Sequence, residues 1–409
     1  MTTVLERTHE VDSTRATTGA FTTTRATLVD ALATVGVAVA ARPSVPVLAG
    51  ALLESDGTDL LVRGFDYEAA VTVRVPDAVD VPGRVLVSHH ELSKLLNAMT
   101  KGMRKRDADG LPVTVRVRDG HFATVEVADS AMPMELFPVE DYPDLPESPP
   151  VFAHVDGDRF VAETRRVLRA VGRDDTLPML TGMKVDVRDY GLTLAATDRY
   201  RLAVGHVRAD VVTDTAPDSG VLIDGALLGK TLPKLGSDIR LGYGPGPFGD
   251  LVSLQSGPVS VVARLHNDGE FIDYASILPT ERVGTVVVDR TELVTQTERA
   301  AAVLAAKGHK HNPVTVTVAA DALRVSPYLG EGAQHVRTRT LAARTSGIGD
   351  LTFGLDHRFF TEALESFTGE SLTLHLQGPE KPCVLTDAPD GLNDPTAFRH
   401  LLMPRRLTS

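Results

Sequence analysis

Paired histidines are the first residues in this chain whose type and spacing could do chemistry. His309 and His311 stand two apart in KGHKH, and His89 and His90 are adjacent. Imidazoles so placed could take a divalent metal, but neither pair has carboxylates or thiolates at the regular spacing of a ligand set. Cys383 is the only cysteine. It excludes an internal disulfide, fits a reducing compartment and has no nucleophile motif around it, so a half-buried strand position is expected for it. The stretch GYGPGPFG, residues 242–249, is glycine-rich like a phosphate loop, yet its prolines remove backbone donors and no helix opens after it. It reads as a plain loop. With no P-loop, nucleophile elbow or dinucleotide glycine string, the sequence predicts no catalytic site, no metal and no cofactor.

Fixed positive charge remains. Lys94, Lys101, Arg104, Lys105 and Arg106 fall in one run without an acid, and Arg159, Arg165, Arg166, Arg169 and Arg173 fall in another against the single Glu163. At about 100° per residue on a helix, Phe160, Thr164, Val167, Leu168 and Val171 share one face. Arg159, Arg166, Arg169 and Arg173 share the opposite one. Further basic helical segments carry Lys230 and Lys234, then Arg299, Lys307 and Lys310. Such a stripe is either a solvated basic face or a surface for sequence-independent, salt-sensitive phosphate contacts, and its recurrence favours the second. The net charge of −12 opposes a polyanionic partner only if the charge is evenly spread.

The elements that position these residues repeat. Leu192, Leu194 and Ala196 alternate with Thr193 and Ala195, run into a polar turn at Thr197–Arg199, and the alternation resumes at Leu202 and Val204. That pattern predicts a hairpin with a charged tip. Pro46, Gly50, Asp66 and Tyr142 recur 132 residues later as Pro178, Gly182, Asp198 and Tyr274. The first copy reads RPSVPVLAG, GFDYEAAV and VEDYPDLP; the second reads RDDTLPMLTG, ATDRYRLAV and FIDYASILP. A weaker third copy begins near Pro313 and ends the chain with HLLMPRRL. A repeat of this length is a domain, not a solenoid turn. Hydrophobic content of 43% is that of a globular protein, and the absence of Trp leaves few stacking platforms for single-stranded nucleic acid. Residues 1–20, rich in Thr and mixed charge, lack a signal peptide's apolar core and read as a disordered extension. Leu28 to Ala41 is too polar and too soon ended by Arg42 and Pro43 to span a bilayer.

RPxxPVL, TLPxLxG followed by ATDRYRLA, a DY…LP ending and a terminal LLMPxRL together resemble the bacterial sliding clamps, the beta subunits of DNA polymerase III, in wording closest to actinobacterial ones. The resemblance covers roughly residues 21–407. It implies an α+β fold of three modules, at 21–148, 149–280 and 281–409, with helices inside, antiparallel sheets outside and two chains closed head to tail into a ring around duplex DNA. Implied partners are the replicative polymerase, the clamp loader, and other polymerases and repair proteins that dock through a short linear motif. The implied setting is the cytoplasm, at the nucleoid.

By the same resemblance Arg42 and the loop from Arg173 to Thr176 touch DNA, although Arg42 reads equally as a capped turn residue. The peptide pocket would comprise Leu180, Thr197, Arg199, Tyr200, Arg201 and Leu202, then Ile272 and Ile277 from the linker, and Leu401, Leu402, Met403, Pro404 and Arg405 from the tail. On residue types alone these also read as core plus rim. Val303 and Leu304 would meet Met132 of another copy at the dimer interface. Three positions depart from the family: Ile272 replaces a usual proline, Ser276 an arginine, and Arg405 a residue more often apolar. A cation beside the pocket would narrow it or favour acidic peptides. This motivates a second reading, a duplicated clamp that resists a clamp-binding peptide antibiotic or serves a specialised polymerase. A non-DNA interaction scaffold is the alternative of another class.

Overall fold

The computed structural model describes residues 18–40, 42–117, 121–247, 249–265, 271–279, 284–330 and 335–407. Residues 1–17 of the expected extension lie outside these. Its last residues do not behave as an extension: Ala20 is buried and opens the strand Ala20–Thr24, and the Gly19 carbonyl accepts from the Val117 amide at 3.0 Å. An apolar Ala-Phe pair at the start of a β-forming Thr run is enough to enter the sheet.

Two compact units account for the chain: one running to Glu147 with Pro258–Val262, the other Ser148–Gly257 with the rest from Ala263. In the first unit the strands run Val79–Val81, Ala20–Thr24, Pro112–Val117, Phe122–Val127, Ser130–Phe137, Arg84–Ser88, Gly50–Asp56, Asp59–Phe65 and Ala69–Val75, neighbours pairing antiparallel. The helices Arg25–Val35 and His89–Ala98 bury Leu28, Leu32, Leu92 and Leu96.

The second unit has a sheet ordered Ala209–Val211, Val151–Asp156, Asp238–Gly244, Leu251–Ser256. A longer one runs Val221–Asp224, Gly182–Arg188, Gly191–Thr197, Arg201–Val207, Arg399–Leu402, Cys383–Thr386, Ser371–Leu376, Gly284–Asp289 and Thr340–Ser346, then Ala322–Pro327, Val314–Ala319 and Leu351–Leu355. The tail strand Arg399–Leu402 thus lies between the predicted hairpin and Cys383–Thr386. One continuous hydrogen-bonded sheet joins the second repeat to the third. Cys383 itself is fully buried rather than half-buried, and burial pushes its thiol up to about 12, so it stays a protonated core residue.

Each repeat also divides in two. A strand ends in Thr24, Ser88, Asp156, Asp224 or Asp289, or one residue before Asp356, and that side chain caps the helix that follows by accepting from an amide two or three residues on. Successive caps stand 64 to 68 residues apart. The short oxygen-bearing side chain both closes the strand and satisfies the helix's orphan donors. In the second repeat both helices then begin with glycine, because a Cβ at Gly157 would stand 2.0 Å from the Gly236 carbonyl and one at Gly225 2.8 Å from the Thr181 carbonyl.

The equivalences read from sequence are structural ones. Gly50 and Gly182 both begin strands, and Asp66 and Asp198 both accept the two amides that follow the hairpin tip. Tyr142 and Tyr274 anchor matching apolar clusters, with Leu52, Phe65 and Leu86 in one and Ala195, Leu202 and Leu401 in the other.

Candidate peptide groove and basic surface

The hairpin Gly191–Thr197 and Arg201–Val207 turns through Asp198, Arg199 and Tyr200. Asp198 accepts from the amides of Tyr200 and Arg201, each at 3.0 Å, and the Thr197 hydroxyl donates to the Arg201 carbonyl at 2.6 Å. This closes the turn only with Arg199 at φ +77°; Tyr67, its equivalent in the first repeat, stands at +72°. Two non-glycine residues held in the left-handed region at the same place in a repeat mark a constrained tip. Arg201 turns inward. Its Nε donates to Asp198 at 2.9 Å, its Nη1 to Glu362, and its guanidinium lies 4.6 Å from the Phe359 ring centroid. Burial pushes the Asp198 carboxyl up, opposed by the Arg201 charge and the two amides.

A groove of about 430 Å³ opens beside this tip, lined by Val171, Leu177, Leu180, Tyr200 and Phe359, with Arg173, Arg199, Arg201 and Arg358 against Asp174, Asp198 and Glu362. Its Tyr200 and Phe359 rings stack with centroids 6.1 Å apart and planes 20° from parallel. The tail is tied alongside, the Met403 amide donating to the Tyr200 carbonyl at 2.9 Å. Apolar walls with charged orienters suit an extended peptide carrying large apolar side chains.

Of the expected pocket residues, Leu180, Arg199, Tyr200 and Arg201 line this groove. Thr197, Leu202, Leu401 and Leu402 are buried within the sheet instead, each 3% exposed or less, and Leu202 and Leu401 pack in the Tyr274 cluster. Ile272 packs with the Tyr274 cluster and lines a separate cavity, whereas Ile277 and Met403 are about 40% exposed. Arg405 does not line the groove: its Nη1 donates to the His311 carbonyl at 2.8 Å and stands 3.5 Å from Asp356. The expected cation beside the pocket is thus held by an acid that also caps a helix. Phe359, Arg358 and Glu362 were not expected. Their signal is the Phe359–Phe360 pair on the helix His357–Leu364, where one ring faces the core and its neighbour cannot.

The arginine stripe is not the free surface that its helical spacing predicts. The helix Gly157–Leu168 buries Phe160, Thr164 and Val167 as expected, but its other side is packed as well. Arg166 donates to the Ser366 carbonyl at 2.7 Å, pairs with Glu163 at 3.0 Å and Asp387 at 3.1 Å, and lies 3.7 Å from the Phe398 ring centroid. Arg169 pairs with Glu365 at 2.7 Å. These two bind the second repeat to the third, and the physical reason is that acids distant in sequence arrive on that face. Arg159 and Arg165 are exposed on the helix, and Arg173 is 89% exposed at the groove's edge. Arg42 is exposed, and so is every basic residue from Lys94 to Arg106.

Of the expected interface residues, Met132 and Val303 are each 41% exposed, but Leu304 is fully buried. It lies on the core face of the helix Arg290–Ala306 with Leu293, Thr297 and Ala300, so it cannot meet another copy. Among the described residues no three metal-ligating side chains gather, and no helix is long and apolar enough to cross a membrane.

Models of the N-terminal, central and C-terminal domains of the DNA polymerase III beta subunit match residues 20–146, 154–240 and 275–406. The beta sliding clamp of Streptomyces coelicolor is 30% identical over 94% of this chain and 98% of its own. The beta sliding clamp homolog GriR of Streptomyces muensis is 29% identical over 69% of this chain and 73% of its own. The fold matches a sliding clamp of Pseudomonas aeruginosa, solved bound to griselimycin, with TM-score 0.79 and 21% identity over 95% of this chain and 100% of that one.

Proposed function

The chain belongs to the DNA polymerase III beta-subunit family, the bacterial sliding clamps, and from that premise we propose that two copies close into a ring that slides on duplex DNA and tethers the replicative polymerase. It does so in the cytoplasm, without a catalytic site of its own. The modules are 21–148, 149–280 and 281–409, with Ala20 added to the first. The observation that carries the reading is the groove between Leu180, Tyr200 and Phe359 at the junction of the second and third repeats. An open apolar groove with fixed charges holds a short partner motif in a defined orientation while leaving it free to exchange. Exposed cations at Arg159, Arg165 and Lys94–Arg106 supply diffuse phosphate contacts, weak enough for sliding.

A fluorescence titration with a labelled clamp-binding peptide from the organism's replicative polymerase tests this. Micromolar affinity, about −8 kcal/mol, falling at least tenfold in Leu180→Arg, is expected. Equal binding by that variant would move the partner site elsewhere.

The likeness to the clamp homolog GriR favours a second reading: a duplicated clamp that resists a peptide antibiotic. Griselimycin added as competitor separates the two. Displacement of the bound peptide supports an ordinary clamp; retention of the peptide supports the resistant duplicate.

A further inference from the structure

The face of the long sheet beneath the linker Phe271–Pro279 holds a second, separate cavity. Cross-strand pairing puts Asp186 beside Thr193, and Ala195 beside Val204 beside Arg399, so these side chains share one face of the sheet. Towards the hairpin tip this face carries Leu202 and Leu401 under the Tyr274 cluster. Towards the other end it turns polar and opens into a cavity of about 530 Å³. Arg188, Arg399, Thr193 and Tyr190 bring polar groups to it, and Leu278 and Leu392 bring apolar surface.

Its polar groups are not satisfied from within. Thr193 is 3% exposed and its hydroxyl has no hydrogen-bond partner. Arg399 Nε is likewise buried without a partner, and its guanidinium makes one long contact, 3.4 Å to the Pro395 carbonyl. Among the described residues no carboxylate forms an ion pair with Arg399. Arg188, by contrast, lies 3.2 Å from Asp186, which also accepts from the Tyr274 hydroxyl at 2.6 Å. Burial pushes the half-buried Arg399 guanidinium below its ordinary range, opposed by the more distant charges of Tyr190, Tyr274 and Asp394, none of which pairs with it among the described residues. Leaving such groups unmet is costly, and the buried Thr193 hydroxyl and the buried Nε of the half-buried Arg399, both lining one cavity, are donors a ligand would complete.

We propose that this cavity binds a carboxylate attached to an apolar group, the carboxylate on Arg399 and Thr193 and the apolar part against Leu278 and Leu392. Arg188 and Lys184 already share Asp186, whereas Arg399 is in no ion pair among the described residues, and that single guanidinium matches a monoanion. A guanidinium fork is complementary to a planar carboxylate. The carboxylate comes either from a small organic acid or from an acidic residue of a partner protein. The site is distinct from the peptide groove, with which it shares no lining residue.

The test uses the full chain and calorimetric titration with hexanoate, hexanamide, and the blocked tripeptides acetyl-Leu-Asp-Leu-amide and acetyl-Leu-Asn-Leu-amide. Binding of hexanoate without hexanamide supports the site with a small acid as source. Binding of the Asp peptide alone supports it with a protein as source. Arg399→Met and Thr193→Val should each weaken whichever acid binds, the first at least tenfold, with thermal melting reporting whether each variant is folded. If neither acid binds, if the amides bind equally, or if both variants, folded, bind as the wild type does, the proposal is overturned.

Discussion

His400 lies in the tail strand with no exposed surface, its Nδ1 3.3 Å from the Ser366 hydroxyl and its Nε2 without a partner. Burial first, then Arg201, Arg169 and Arg166, hold the imidazole down to about 3 from 6.5. The folded protein therefore keeps it neutral through a range in which the unfolded chain takes up a proton. Stability falls as pH drops below about 6.5, by about 1.4 kcal/mol per pH unit for one proton, until the folded group itself titrates near 3. In urea denaturation, His400→Gln is expected to flatten stability against pH between 6.5 and about 5 by that slope. An unchanged slope would show that another group carries the acid sensitivity. The same scale explains why Arg166, beyond its neighbour Glu163, and Arg405 read as unpaired in the sequence: Asp387 and Asp356, which reach them in the fold, are 221 and 49 residues away.

At the scale of elements, the helices are set by their starts. Asp156→Ala removes the oxygen that accepts from the Arg159 amide at 2.8 Å, and thermal or chemical denaturation is expected to show a loss of about 1 kcal/mol. Gly157→Ala should cost more, about 1–3 kcal/mol, because the new methyl meets the Gly236 carbonyl and not a side chain that can move. If the alanine were tolerated, the helix would not be seated against that loop as described. The strand-cap-helix unit was legible in the sequence, since Ser or Asp followed by a helical run recurs at 65 to 68 residues. The longer 132-residue period hid it, because the shorter units share one side chain and little else.

At the scale of the whole molecule, Val303 and Leu304 separate assembly from folding. Val303 is exposed and Leu304 has no exposure, so Val303→Asp should shift sedimentation from dimer to monomer with its melting little changed. Leu304→Ala should instead lower stability by about 2–5 kcal/mol, through lost burial and the cavity left behind. If Val303→Asp sediments as the dimer, the interface lies elsewhere.

The repeat, the hairpin with its charged tip, and the family were legible in the residues alone, because these rest on local turn chemistry and on period-two alternation repeated at a fixed interval. Resemblance to the family, and not residue type, implied Leu180, Arg199, Tyr200 and Arg201 for a peptide pocket, and these four line the groove beside the hairpin tip. Only the tertiary structure decided that Leu202, Leu401 and Leu304 are core, that Phe359 completes the groove, and that Arg166 and Arg169 bind one repeat to the next. The physical reason is that helical or strand spacing fixes which residues share a face, whereas what covers that face arrives from distant sequence. The tail strand Arg399–Leu402, ending against Tyr200, is the clearest case.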